Sequence, residues 1–155
     1  MLRVDLRELR KGPIETGGRL DADDPVLGGL GHAFDGPVVV DGRLQEAGSD
    51  YLWRGTIRAT ALNECRRCLT PVRQEVDAPV DVLFSTDPDA ADDPSVYPLP
   101  EGSTHVDITE AVREELALAV APLVLCRDDC AGLCPKCGAD LNAGPCACAA
   151  TAEPV

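Results

Sequence analysis

The chain has 155 residues, of which 45% are apolar and 3% aromatic, and its formal net charge is −13. This length allows one folded domain with a modest aliphatic core, and no stretch approaches the roughly 20 apolar residues that span a membrane. Residues 1–84 carry 11 basic and 14 acidic side chains, whereas residues 85–155 carry 3 and 13. Such a chain is not expected to bind nucleic acid through bulk charge, because neutralising phosphates needs Lys and Arg.

The chemistry expected of the cysteines depends on whether the compartment of the protein is oxidising or reducing. The N-terminal segment Met1–Arg7 interleaves charged and apolar residues and lacks the continuous apolar run of a secretion signal. The cytoplasm is therefore the expected location. Because that compartment is reducing, the eight cysteines favour metal ligation or redox chemistry over disulfide bonds.

The N-terminal region carries only weak patterns. Residues 2–9 fit a short strand, through the alternation of Leu2, Val4 and Leu6, and they fit a helix equally well. Residues 12–36 are rich in Gly, Asp and Pro and are predicted to be mostly loop.

Three strands are predicted between residues 38 and 84. Their period-two alternation is typical of half-buried antiparallel strands. Cys65 and Cys68 lie between the second and third strands, at the tip of the predicted hairpin. The positions predicted to share one face are Val38, Val40 and Leu44 in the first strand, Trp53, Gly55, Ile57, Ala59 and Ala61 in the second, and Val72, Val76, Ala78, Val80, Val82 and Phe84 in the third.

A helix is predicted after an acidic segment. Residues 85–104 contain mainly Asp, Pro, Ser and Ala and are predicted as a mobile acidic loop. Asp107 is expected to cap the helix, Glu110 completes a capping box, and Pro122 limits the helix near its C-terminal end. The apolar stripe expected to pack on the sheet is Ile108, Val112, Leu116, Val120 and Leu123.

These elements predict an α+β fold. It consists of an antiparallel β-sheet, or a small barrel-like sheet, packed by one main helix and followed by a C-terminal Cys-rich zinc knuckle. The predicted division is an α+β domain over residues 1–125, a zinc-binding tail over residues 126–148 and a disordered end over residues 149–155. The tail is too short to fold on apolar burial alone and is expected to need a metal.

The cysteine spacing predicts one or two structural zinc ions. Two thiolates separated by two residues can bind one tetrahedral ion, and Gly138 after Cys137 lets the backbone turn and point amides at the sulfurs. An alternative pairing places Cys130 in the tail site and leaves Cys126 or Cys146 free, and another interpretation leaves the hairpin pair as free thiols. The favoured sets are Cys134, Cys137, Cys146 and Cys148, and Cys65, Cys68, Cys126 and Cys130.

Other candidate site residues are few. His32 and His105 lie in loop-like stretches away from the cysteine pairs and are predicted as surface residues. No catalytic motif is found, so no enzyme activity is predicted. Five arginines stand out against the acidic background as a candidate patch for contact with RNA or a partner, the alternative being an ordinary solvated face. They are Arg54, Arg58, Arg66, Arg67 and Arg73.

Several stretches of the chain carry a family resemblance. They are Glu64-Cys-Arg-Arg-Cys-Leu-Thr-Pro-Val72, Val106-Asp-Ile-Thr-Glu110, Ala121-Pro-Leu-Val-Leu-Cys126, and Asp129-Cys-Ala-Gly-Leu-Cys-Pro-Lys-Cys-Gly-Ala-Asp-Leu-Asn142 with Cys146-Ala-Cys148. Together they resemble the YceD family of bacterial and plastid proteins. The resemblance covers nearly the whole chain and is least specific in the N-terminal third.

The resemblance implies a non-catalytic role in the synthesis, processing or stability of large-subunit ribosomal RNA. Family members are often encoded beside a small zinc-binding protein of the large ribosomal subunit. Some lack the final knuckle but keep the hairpin cysteine pair, which favours two separable sites. The implied partner is large-subunit ribosomal RNA or a basic large-subunit ribosomal protein. Independently of the resemblance, neither a membrane nor a small-molecule substrate is expected.

The cysteines also allow two other functions. One is a redox-sensitive zinc protein with a chaperone-like or regulatory role, since dense cysteine pairs can be oxidised with loss of metal. The other is a metal-dependent hydrolase, which would need an open coordination position on the ion.

Overall fold

A computed structural model describes residues 2–148, so the predicted disordered end at residues 149–155 lies outside the described residues. The described chain is mostly strand, with one main helix, as expected for the predicted α+β fold. The strands are β1 (Arg3–Asp5), β2 (Ile14–Leu20), β3 (Ala33–Phe34), β4 (Val38–Ala47), β5 (Asp50–Glu64), β6 (Pro71–Ser85), β7 (Val96–Pro98) and β8 (His105–Asp107). The α-helices are α1 (Leu6–Leu9) and α2 (Thr109–Ala119), and short 3-10 helices cover Pro25–Leu27 and Pro88–Asp92.

The main sheet has the strand order β2-β4-β5-β6-β7, and β3 adds to β5. Its neighbours are antiparallel except β6 and β7, which are parallel. The long hairpin of β5 and β6 aligns Trp53 with Val82, and β4 aligns Leu44 with the same tryptophan. A second, two-stranded sheet pairs β1 with β8. None of the helices within residues 2–148 has the length and apolar character needed to cross a bilayer.

The core lies between the main sheet and α2. The predicted inward positions of β4 are fully buried, and those of β5 are buried at Trp53, Ile57, Ala59 and Ala61. Gly55 lies beneath the tryptophan ring, where a Cβ atom would come within 2.5 Å of the ring. The three central strands therefore agree with the period-two prediction.

Residues 12–36, predicted to be mostly loop, contain the two strands β2 and β3. Residues 14–20 form β2, whose inward positions include Thr16 and Gly18, so the apolar alternation that marks a strand is missing. Thr16 is nevertheless buried. Its hydroxyl is satisfied there, because Oγ1 accepts a hydrogen bond of 2.7 Å from Trp53 Nε1. At the N-terminus, residues 2–9 contain both of the predicted alternatives, β1 followed by α1.

The acidic segment 85–104 also contains regular structure. Residues Pro88–Asp92 form a 3-10 turn, and β7 then pairs with the end of β6. The Tyr97 ring packs on Phe84 with centroids 5.5 Å apart, and its hydroxyl donates to Glu114 at 2.6 Å. These contacts are long-range, so the polar composition of the segment did not predict them.

The main helix differs from its prediction at both ends. It begins at Thr109, because Asp107 belongs to β8 and its Oδ1 accepts a 2.9 Å hydrogen bond from the Thr109 N–H. The N-cap position is Ile108 and not Asp107, so the predicted capping box is wrong, but the Asp107 carboxylate still caps the first N–H of the helix. The stripe is buried as far as Val120, but Leu123 lies beyond the helix and is 62% exposed.

Candidate metal centres

The eight cysteine sulfurs lie in two groups of four. In each group the sulfurs are all within 4.8 Å of one another, and no disulfide joins any of the cysteines within residues 2–148. The hairpin cluster consists of Cys65, Cys68, Cys126 and Cys130, and the knuckle cluster consists of Cys134, Cys137, Cys146 and Cys148. The alternative pairing with Cys130 in the tail site is not the arrangement in the structure. Two four-cysteine clusters of this kind could hold metal ions.

The hairpin cluster joins the β5–β6 tip to the segment that follows α2. Cys65 forms an isolated parallel β-bridge with Val124, and the Arg66 N–H donates to the Val124 carbonyl at 2.9 Å. This bridge brings Cys126 beside Cys68, with their sulfurs 3.6 Å apart. The cluster is therefore a contact between residues far apart in sequence, created by the pairing at the tip.

The sulfur spacing of the hairpin cluster fits a tetrahedral ion. Zinc–sulfur bonds of about 2.3 Å in a tetrahedron place neighbouring sulfurs about 3.8 Å apart. The Cys65 and Cys130 sulfurs are 3.7 Å apart, and the Cys68–Cys126 distance is similar. Sulfurs joined in a disulfide would be about 2.0 Å apart. The donor set therefore suits a closed four-thiolate site.

The knuckle cluster is built on a tight turn at Cys134–Gly138. The Gly138 N–H donates to the Cys134 carbonyl at 2.8 Å, and the Cys134 N–H donates to the Ala139 carbonyl at 2.8 Å. Gly138 has φ 74°, a left-handed conformation that glycine adopts without strain. An isolated antiparallel bridge between Leu133 and Asp140 closes this small hairpin. The turn thus places both sulfurs of the pair on one side.

The protonation of the thiols responds to backbone amides and to crowding. Burial raises the pKa of Cys65, but hydrogen bonds from nearby backbone N–H groups outweigh it and lower the pKa to about 6. Backbone N–H groups likewise lower the pKa of Cys134 to about 6. Cys126 is exposed as a residue, but local desolvation around its sulfur and the neighbouring sulfurs raise its pKa to about 12. Four negative charges at this spacing repel one another, so a divalent cation would favour the thiolate form of all four.

The five predicted arginines occupy the exposed surface but differ in their partners. Three form ion pairs across or beside the sheet. Arg67 donates from Nη1 to the Cys130 carbonyl at 2.9 Å and so supports the hairpin cluster. Within residues 2–148, Arg66 makes no side-chain hydrogen bond or ion pair. The ion pairs are Arg54–Asp81, Arg58–Asp41 and Arg73–Asp35.

Two polar residues beside the sulfurs were missed by the sequence analysis. The Thr70 hydroxyl lies 3.1 Å from Cys68 Sγ and, with the Thr70 backbone, lowers the pKa of that thiol. Asn142 Nδ2 donates to Cys130 Sγ at 3.4 Å. The position of Thr70 two residues after Cys68 was a usable signal, whereas Asn142 reaches the other cluster only through the fold. His32 and His105 belong to neither cluster.

Comparison with known proteins places the chain in a family. The sequence profile described as "Large ribosomal RNA subunit accumulation protein YceD" matches residues 53–154. The chain belongs to the YceD family. The match includes all eight cysteines, so both clusters lie within the YceD region.

Relatives of the chain occur in mycobacteria. Uncharacterized proteins of Mycobacterium tuberculosis and Mycobacterium bovis are 33% identical over 109 residues, which is 68% of this chain and 52% of theirs. An uncharacterized protein of Mycobacterium leprae is 29% identical over 113 residues, 70% of this chain and 51% of its own. The chain thus spans about half the length of the curated relatives it matches. No solved structure matches the chain significantly.

Proposed function

We propose that this protein is a non-catalytic factor that supports the accumulation of large-subunit ribosomal RNA, and that each cysteine cluster holds one structural zinc ion. The role in RNA accumulation is supported by membership of the YceD family. The observation that carries the metal proposal is the grouping of four sulfurs within 4.8 Å in each cluster.

Zinc in a structural role accounts best for this donor set. Four thiolates in tetrahedral geometry select zinc or iron, and structural zinc sites commonly use four cysteines. Four sulfurs fill the coordination shell and leave no position for a catalytic water, which favours a structural ion over a hydrolytic one. Cysteines that bind a metal as thiolates must be kept from forming disulfides, which requires a reducing environment. We therefore infer the cytoplasm as the compartment.

Charge favours a basic protein over RNA as the direct partner. Residues 85–155 carry 13 acidic and 3 basic side chains, and three of the five candidate arginines are neutralised by ion pairs. RNA binding needs cations that are free to meet phosphates, and Arg66 is the one member of this patch with no ion-pair or hydrogen-bond partner in the described chain. A basic large-subunit ribosomal protein is therefore the better candidate of the two.

Metal analysis of the purified native protein tests the two-site proposal. We expect two zinc ions per chain by elemental mass spectrometry. Cys65→Ser and Cys137→Ser should each lose one ion outright, because each removes a ligand from a different cluster. Zinc loss in only one of these variants, or a stoichiometry below two, would contradict the proposal.

The role in RNA accumulation is tested in cells. Depletion of the protein should lower the ratio of large-subunit to small-subunit ribosomal RNA, and the full-length protein should restore it. Cys65→Ser should restore less, whereas Gln45→Ala, a substitution on β4 away from both clusters, should restore fully. An unchanged ratio after depletion counts against a role in the large subunit.

A second candidate function is redox sensing, which the exposure of two ligands favours. Cys126 and Cys137 are exposed, one in each cluster. Oxidation of a thiolate weakens its bond to zinc, so peroxide can open such a site. Under this hypothesis, mild peroxide releases zinc and unfolds residues 126–148. Retention of both ions under conditions that oxidise an unprotected thiol favours purely structural metals.

A further inference from the structure

The two clusters are linked by the side chain of Asn142, which lies between the second and third cysteines of the knuckle cluster in sequence. Its Nδ2 donates to Cys130 Sγ of the hairpin cluster at 3.4 Å. Its Oδ1 accepts from the Ala131 N–H at 2.8 Å and from Arg127 Nη2 at 2.9 Å. A residue of the knuckle thus holds both the sulfur and the backbone of the loop that presents Cys130.

The orientation of this amide is fixed by its partners. The two groups facing Oδ1 are both N–H donors, while Nδ2 faces a sulfur and the Asp140 carboxylate at 2.9 Å. Rotation of the amide by 180° would set donors against donors. Asn142 therefore donates an N–H to the Cys130 sulfur, which is the acceptor. A hydrogen bond of this kind stabilises a thiolate ligand.

The position of Asn142 depends in turn on the folding of the knuckle. The Leu141 N–H donates to the Gly132 carbonyl at 2.9 Å, next to the Leu133–Asp140 bridge that closes the knuckle hairpin. Without its metal, a segment of this length lacks the apolar burial to keep that geometry. Ordering of the knuckle is therefore what carries Asn142 to the hairpin cluster.

A second contact joins the same two parts. The Leu133 N–H donates to the Arg67 carbonyl at 3.1 Å, within the Cys65–Cys68 loop of the hairpin tip. Gly132 allows this approach, since a Cβ atom there would lie 3.1 Å from the Arg67 carbonyl oxygen. The knuckle is thus seated on the loop that carries two ligands of the other cluster.

From this geometry we propose that Asn142 is a positioning residue that couples the two clusters, so that metal binding in the knuckle cluster strengthens metal binding in the hairpin cluster. The inference rests on the proposed function, in which both clusters hold zinc. Because coupling between two binding sites is reciprocal, metal in the hairpin cluster strengthens binding in the knuckle cluster by the same factor. The two sites share no ligand, but the metal affinity of each depends on whether the other is occupied.

Chelator competition on the zinc-loaded full chain tests the coupling. Loss of a hydrogen bond to a metal ligand typically lowers metal affinity by about 10- to 100-fold. Asn142→Ala keeps all eight thiols, and we expect it to release the ion of the hairpin cluster at roughly tenfold lower chelator concentration than the wild type. Cys68→Ser and Cys137→Ser identify which ion is released, because each leaves one intact cluster. Gln45→Ala is the matched control, because it also removes a side-chain amide, but from β4 and away from both clusters. It should behave as the wild type.

A double-mutant comparison separates positioning from general destabilisation. In the Cys137→Ser chain the remaining ion should bind about tenfold more weakly than in the wild type. Adding Asn142→Ala to that chain should change its affinity much less than in the loaded protein, since the disordered knuckle no longer holds Asn142. In cadmium-substituted protein, Asn142→Ala should shift the ¹¹³Cd resonance of the hairpin cluster.

The outcomes distinguish this inference from the proposed function. If the wild type, Asn142→Ala and Gln45→Ala all release their two ions at the same chelator concentration, the coupling is overturned. The zinc proposal then still stands. Equal effects of Asn142→Ala in the loaded and Cys137→Ser chains also overturn it. A wild-type chain that holds fewer than two zinc ions overturns the proposed function and the coupling together.

Discussion

Leu69 occupies a backbone conformation that suits glycine. It follows Cys68 as Gly138 follows Cys137, and in both turns the residue after the second cysteine donates its N–H to the carbonyl of the first at 2.8 Å. Both have positive φ, 63° at Leu69 and 74° at Gly138. The two clusters thus use the same turn, but one of them carries a strained leucine, a residue that is 58% exposed.

Leu69→Gly is therefore expected to stabilise the zinc-loaded protein by about 1 kcal/mol. A leucine in the left-handed region costs about 1–2 kcal/mol, part of which is offset because glycine makes the unfolded chain more flexible. Urea unfolding at a fixed excess of zinc measures the change. The reciprocal substitution Gly138→Leu should lower stability by a similar amount, and a loss of stability in Leu69→Gly would contradict the strain.

Trp53 depends on the absence of side chains at two neighbouring positions. Its ring covers Gly42 and Gly55, where Cβ atoms would lie 2.7 Å and 2.5 Å from ring atoms. Gly55→Ala is expected to lower the free energy of unfolding by about 1–3 kcal/mol, because overpacking a tight core forces the ring or the strand to move. The same substitution in a Trp53→Phe chain should cost less but remain destabilising, since the smaller ring lacks the nearest atoms whereas the Asp41 carbonyl oxygen would still lie 2.7 Å from the new Cβ atom. Equal costs in both backgrounds, measured by urea unfolding, would rule out this contact as the cause.

At the scale of elements, α2 supports the sheet through one face only. Leu116 is fully buried, whereas Leu118, two residues later, is 79% exposed. Leu116→Ala is expected to cost about 2–5 kcal/mol, the range for deleting a buried leucine side chain. Leu118→Ala should change stability by no more than about 0.5 kcal/mol. Thermal unfolding of both variants compares the two faces, and similar costs would mean that the helix is packed differently.

Strands with alternating apolar residues were predictable, and strands that lack them were not. β4, β5 and β6 alternate over ten or more residues, and one face of each packs on the core. β2 places Thr16 and Gly18 inward, and β7 is three residues long within an acidic segment. These two strands exist because a neighbouring strand supplies hydrogen-bond partners, which local composition does not report.

At the scale of the whole molecule, metal is expected to stabilise the tip and the tail rather than the sheet. A strong chelator should increase amide hydrogen exchange at residues 65–70 and 126–148, because the clusters hold these segments in place. Amides of β4 and β5 should stay protected, since their core does not include the cysteines. This measurement also tests the predicted division between residues 125 and 126. Uniform loss of protection would mean that the metal sites and the sheet unfold together.

The acidic charge also acts at this scale. Residues 85–155 carry most of the net negative charge, while three candidate arginines are paired with acids that come close only in the folded sheet. The sequence, in which these arginines are clustered, therefore suggested more unpaired positive charge than the folded surface carries. Ion pairing between strands is a property of register, and register was not available from composition.

The sequence by itself determined the α+β class, the three central strands and the presence of cysteine pairs that could bind a metal, because these depend on local periodicity and on cysteines spaced two residues apart. The tertiary structure decided between the favoured grouping of the sulfurs and the alternative with Cys130 in the tail site, since Cys65 and Cys130 meet only when the hairpin tip pairs with the segment after α2. It also decided the role of Asn142, whose amide reaches across to the other cluster. Contacts of this kind arise from packing between distant segments, and no local pattern encodes them.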